Sequence, residues 1–155
     1  MTKNEAKLLH DLELPEPPAP AGSYERCMVY NGIGFVSGQF PLVDDHLAFV
    51  GRIGAELSEE EGHRAAEIAA VNVLSQIKAV LGGNFGQLAT LLRVDGYVAS
   101  ADGWRRQPTV LDGASNLFVE ILGTRGRHAR SAFAVSQLPF GAPIELVVTF
   151  ATEPR

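Results

Sequence analysis

Apolar and polar positions follow two different rhythms along this chain. Residues 26–30 and 33–37 alternate in strand fashion around Asn31-Gly32, a dipeptide that supplies the positive φ angles of a two-residue hairpin. The second run closes on Ser37-Gly38-Gln39, where a glycine lets a backbone or ligand approach closely. Asp44-Asp45 reads as a turn and residues 46–50 as a third strand. Residues 90–100 alternate again, with Leu92, Val94, Gly96 and Val98 on one face and Arg93, Asp95 and Tyr97 on the other. Arg93 and Asp95 are expected to pair on that face. Two further alternating runs, 131–135 and 144–150, flank a link holding two prolines and a glycine.

Between the strands the rhythm becomes helical. Ser58 and Glu61 form a capping box, Glu59 and Glu60 suit a helix N-terminus, and Gly82-Gly83 supplies a stop near Leu81. Ala66, Ala70, Val73, Leu74, Ile77, Val80 and Leu81 lie at helical spacing as its buried face. A second helix is predicted over residues 107–122, with Pro108 in its first turn and Val110, Leu111, Ala114, Leu117, Phe118 and Ile121 on its apolar side. The order is β-β-β-α-β-α-β-β, an α+β layer fold with both helices on one face of the sheet. The other face mixes polar and apolar residues, which points to burial against sister subunits.

The N-terminal stretch differs. Residues 1–13 could form a short amphipathic helix, and 14–22, with four prolines, an extended arm on the surface. We therefore divide the chain into an arm, 1–22, and a single domain, 23–155. Over the whole chain, 46% hydrophobic and 20% charged residues are those of a globular protein. A net charge of −5 argues against a broad nucleic-acid footprint. The lone cysteine, Cys27, cannot form an internal disulfide and reads as a packed residue. With no long apolar run or signal peptide, a cytoplasmic protein is expected.

Two charges interrupt the otherwise uncharged region from 129 to 150. Arg130 opens one strand, and Glu145 lies inside the next, on the face opposite Ile144 and Leu146. They read either as a solvated strand end and an exposed carboxylate or as a small-anion site. In the second case a guanidinium fork grips a carboxylate and Glu145 handles a water or proton. Ser37 lacks the G-x-S-x-G frame of a hydrolase serine, and Gly82-Gly83-Asn84-Phe85-Gly86 lacks the lysine of a phosphate loop. Glu59, Glu61 and His63 lack metal-site spacing, so neither metal nor cofactor is expected.

Several motifs in order carry a resemblance: P-A-G-S-Y at 20–24, V-S-G-Q-F-P at 36–41, H-A-R-S at 128–131, L-P at 138–139 and P-I-E-L at 143–146. On these residues the chain resembles the Rid (reactive intermediate deaminase) family, also called YjgF or endoribonuclease L-PSP, from about residue 20 to 151. Its longer form resembles a less characterised branch. The resemblance implies a chorismate-mutase-like mixed sheet and a homotrimer with ligand clefts between subunits. It also implies that the strand from residue 90 separates the two C-terminal strands, which otherwise look like a hairpin.

The implied activity is hydrolysis of enamines and imines such as 2-aminoacrylate to a 2-keto acid and ammonia, like a 2-iminobutanoate/2-iminopropanoate deaminase. Arg130 then matches the arginine that grips the substrate carboxylate, and Glu145 the acid near the attacking water. Tyr24, Ser37 and Gly38 match walls of the same cleft. Ala132 stands where a cysteine is usual, with its backbone amide still able to bind ligand, and Ser115 corresponds to a position often aromatic. The implied partner is a small carboxylate, with no membrane. The alternatives are a non-catalytic keto-acid binding or sensing protein and, less favoured by the charge, a ribonuclease. For the ribonuclease, Arg125, Arg127, His128 and Arg130 form a local basic strip.

Overall fold

The Asn31-Gly32 turn folds back the first hairpin in the computed structural model, which describes residues 13–154. Strand β1 (Cys27–Tyr30) pairs antiparallel with β2 (Ile33–Gln39), with φ of 48° at Asn31 and 80° at Gly32. Leu42–Val43 (β3) and His46–Leu47 (β4) then make a separate two-stranded hairpin, turned by Asp44 and Asp45, both at positive φ. The third strand, predicted over 46–50, ends at Leu47. Its partner is only two residues long, and Pro41, just before that partner, has no N–H to extend the ladder.

Helix α1 (Glu59–Val80) starts with the predicted capping box: the Ser58 hydroxyl accepts from the Glu61 N–H, and the Glu61 carboxylate accepts from the Ser58 N–H. Ala65, Ala66, Ala69 and Ala70 are buried in the core. Val80, predicted in the apolar face, is 40% exposed. It lies in the last turn, where it shares a surface cleft with Val29 and Tyr30 instead of facing the core.

Strand β5 (Leu88–Ala99), helix α2 (Gln107–Leu122), β6 (Ala129–Val135) and β7 (Ile144–Thr152) complete the fold. The sheet order is β1-β2-β7-β5-β6, with β6 parallel to β5 and the other neighbours antiparallel. The α2 crossover permits that parallel pair. As expected, β5 separates β6 from β7. Its register against β7 shifts between Leu91 and Arg93. That irregularity corrects one predicted face: Leu91 is buried, while Leu92 points outward and is 38% exposed.

The core lies between the helices and one sheet face, built from Val73, Leu74, Ile77, Val94, Val98, Leu111, Phe118, Ile144, Leu146, Val148 and Phe150. The opposite face carries Phe35, Tyr97 and Phe133, the last two stacked at 5.1 Å, and the Arg93–Asp95 ion pair at 2.9 Å. Proline-rich residues before Tyr24 lie against the fold without regular structure, held by Gln76 Nε2 donating to the Pro18 carbonyl at 2.9 Å. The helix read over residues 1–13 falls outside the described residues but for Glu13. Among the described residues, no helix is long and apolar enough to cross a membrane.

Candidate functional site

Strand alternation buries Ile144 and Leu146 completely and turns Glu145 to the open face of the sheet. There Glu145 is paired across the strands with Tyr97. Its carboxylate stands over Gly38 of β2, at the point where the β2–β7 register shifts, in space a β-carbon on residue 38 would need. A glycine is required here to admit that carboxylate. No hydrogen bond or ion pair to Glu145 is present among the described residues, and burial raises its pKa above the ordinary carboxylate value.

Gly38 also lines a cavity of about 500 Å³ between the proline arm, the β3–β4 hairpin and the turn at Phe140. Tyr24 stands in its wall, the phenolic oxygen accepting from the Ala21 N–H at 3.0 Å. The Ser37 hydroxyl donates to the Glu25 carbonyl at 2.7 Å, so it ties β2 to the strand preceding residues instead of opening toward a ligand. Two amides of α1 hold the cavity's frame. Asn72 Nδ2 donates to the carbonyls of Phe40 and Leu42, and Gln76 Nε2 donates to Pro18 and to Gln39 Oε1. Sequence reading missed both amides. Their spacing, four residues apart in an alanine-rich helix, was the available signal.

Arg130 and Ala132 lie elsewhere. Val94, on the core face of β5, pairs with Arg130, which turns toward α2. There its Nη1 donates to Asp112 Oδ1 and Ser115 Oγ, each at 3.0 Å, and its Nη2 donates to the Pro108 carbonyl at 3.1 Å. Its side chain is 20% exposed, so Arg130 is a held guanidinium and not a solvated strand end. Ala132 packs on the edge of the core. Ser115 further donates to His128 Nε2 at 2.9 Å, because His128 Nδ1 must give its hydrogen to the Gly126 carbonyl. Burial first, then the nearby Arg130 charge, lowers the His128 pKa. Asp112 was also missed, although Asp112 and Ser115 fall on one helical face.

The structure therefore brings Tyr24, Ser37, Gly38 and Glu145 together at one end of the sheet, and leaves Arg130 with Ala132 at the β6 edge. In one chain Arg130 and Glu145 are on opposite faces. Val94 pairs with both Arg130 and Val148, so Glu145 is three residues along β7 as well as two strands across. Each offset is about 10 Å, beyond a small ligand's reach.

Cys27 is half-buried, and burial raises its thiol to about 11, which keeps it protonated. Among the described residues, no group of three or more His, Cys, Asp or Glu is placed to hold a metal ion.

Comparison with known proteins agrees with this fold. The Trypanosoma cruzi protein TCP17 is 37% identical over 136 residues, spanning 87% of this chain and 84% of its own. The crystal structure of Atu1372 from Agrobacterium tumefaciens superposes with a TM-score of 0.89 at 30% identity, covering 97% of this chain and 96% of that one. A Shewanella oneidensis structure gives a TM-score of 0.87, also at 30% identity, over 95% and 98% of the two chains. A family model matches residues 5–153, and the chain belongs to the family that it describes, YjgF/chorismate mutase-like.

Proposed function

We propose that this protein hydrolyses enamine and imine intermediates, such as 2-aminoacrylate, to a 2-keto acid and ammonia, in clefts completed between subunits of a homotrimer. The observation that carries this reading is Glu145. It is a half-buried carboxylate without a cationic partner among the described residues, poised over Gly38 beside a cavity of ligand size. A neighbouring subunit that brought its Arg130 edge to this Glu145 would unite a carboxylate grip with a water-handling group. Phe35 and Phe133 on the open sheet face would be covered in the same step. Escherichia coli TdcF, which has this fold at a TM-score of 0.66 and 16% identity, holds serine in its structure. A small carboxylate is thus accommodated by that protein.

The chemistry asks little of the side chains. The imine carbon of the tautomerised substrate is already electrophilic. Water adds to it, one proton passing through Glu145, and the carbon–nitrogen bond breaks to release ammonia and leave the carbonyl. Arg130 contributes by positioning the carboxylate. Burial raises the Glu145 pKa, which makes the carboxylate a better proton acceptor from water than an exposed one. Cytoplasmic residence fits the single, protonated thiol.

A second reading, a keto-acid binding or sensing protein without turnover, is favoured by one observation. Asp112 already occupies part of the Arg130 fork, so a ligand carboxylate must compete with it. Fresh 2-aminoacrylate with ammonia release followed, and RNA degradation measured in parallel, separates the readings. Accelerated ammonia release supports the deaminase. Keto-acid binding without acceleration supports the sensor, and RNA cleavage alone would overturn both.

A further inference from the structure

The cavity beside Gly38 is larger than a three-carbon acid needs. At about 500 Å³ it falls among sites that bury drug-sized ligands, roughly 300–1,000 Å³. Its walls are mostly apolar: Pro18, Pro20, Phe40, Leu42, Leu47 and Phe140. Phe140 is unusual twice over. It is 72% exposed, and its φ of 60° is a left-handed conformation that a bulky side chain rarely adopts. Glycine would occupy that backbone position at lower cost. The ring instead stands edge-on to Phe40, centroids 6.1 Å apart, at the mouth of the cavity. Aromatic edges and faces in this arrangement suit a further ring or branched apolar group.

We infer that this cavity is a side-chain subsite, and that the ligand is a 2-imino or 2-keto acid with a large aromatic or branched apolar side chain. The inference rests on the small-carboxylate reading of the same site. The reacting carbon would lie near Glu145, whose carboxylate stands on Gly38, and the side chain would run from Gly38 under the proline arm toward Phe40 and Phe140. Asn72 and Gln76 of α1 keep that wall in place through their bonds to Phe40, Leu42 and Pro18. Pro18 and Pro20 are then part of the binding site.

Binding of phenylpyruvate and pyruvate to the full-length protein by calorimetry tests this without requiring turnover. Phenylpyruvate should bind at least tenfold more tightly than pyruvate. In Phe140→Gly that ratio should fall at least fivefold while the melting temperature holds or rises, since glycine relieves the left-handed strain. Equal affinity for the two acids, or an unchanged ratio in Phe140→Gly, overturns the subsite and leaves the carboxylate site standing. If neither acid binds, the carboxylate site and the subsite fall together.

Discussion

The Glu145 carboxylate rests over the α-carbon of Gly38, in the volume that any β-carbon on residue 38 would fill. Two strands thus share one position: β7 supplies the carboxylate and β2 supplies the vacancy for it.

Gly38→Ala should therefore separate stability from function. The atoms in its way belong to the flexible end of Glu145, which can swing aside. Turnover of 2-aminoacrylate should drop at least tenfold while chemical denaturation shows a loss below about 1 kcal/mol. Gly34→Ala is the contrasting case, because its β-carbon would meet the fully buried ring of Phe150. A loss of about 1–3 kcal/mol or more is expected there. Equal effects from both substitutions would remove the special relation between residues 38 and 145.

Glu145→Gln keeps the shape and removes the base. Turnover should fall by roughly 100-fold or more, with affinity for a keto-acid product changing by less than about 1 kcal/mol. Turnover equal to the parent's would leave Glu145 as a strand carboxylate without a chemical role.

Arg130→Lys should abolish or sharply weaken carboxylate binding in calorimetry, because lysine retains the charge but not the fork. Its neighbour offers the opposite test. Asp112→Asn removes the charge that competes for Arg130 at 3.0 Å, so pyruvate affinity should rise several-fold. Unchanged affinity in both variants would place the ligand away from Arg130.

Stability should depend on pH with two opposed signs. Burial raises the Glu145 pKa, so the folded chain binds the proton more tightly than the unfolded chain does. Its ionisation therefore subtracts stability as pH rises from the ordinary carboxylate range through the raised value. Glu145→Gln should accordingly stabilise the protein near neutral pH, with the gain vanishing in acid. His128 is lowered, so the unfolded chain binds that proton more tightly. Its contribution is present above the ordinary imidazole value and is lost as pH falls toward the folded one. Denaturant midpoints at several pH values for the parent, Glu145→Gln and His128→Gln check the two signs.

The open sheet face gives an assembly test. Phe133 is 41% exposed and stacks on Tyr97. Sedimentation equilibrium at micromolar concentration should give a trimer for the parent and a smaller species for Phe133→Glu, since a charge cannot be buried unpaired in an interface. A monomeric parent would dismiss the trimer and, with it, the inter-subunit cleft.

Local chemistry was legible in the sequence because its causes are local. The Asn31-Gly32 hairpin needs only two residues with positive φ, and the Ser58/Glu61 box closes within a single helical turn. The outward direction of Glu145 follows from strand alternation alone. Alternation failed at Leu92, because the register slip that exposes it is set by the pairing of β5 with β7. The third strand stopped early because its partner was only two residues long.

The site itself was decided by tertiary structure. Sequence marked Arg130 and Glu145 as two charges in an uncharged region, but could not assign them to opposite faces and different rows of the sheet. The resemblance placed β5 between their strands, but only the pairing shows which residues of β5 each one meets. Nor could it show that Asp112 and Ser115 hold the guanidinium, or that Asn72 and Gln76 brace a cavity under the proline arm. Those contacts join residues far apart in the chain, and only the packing of helix on sheet brings them within hydrogen-bond distance.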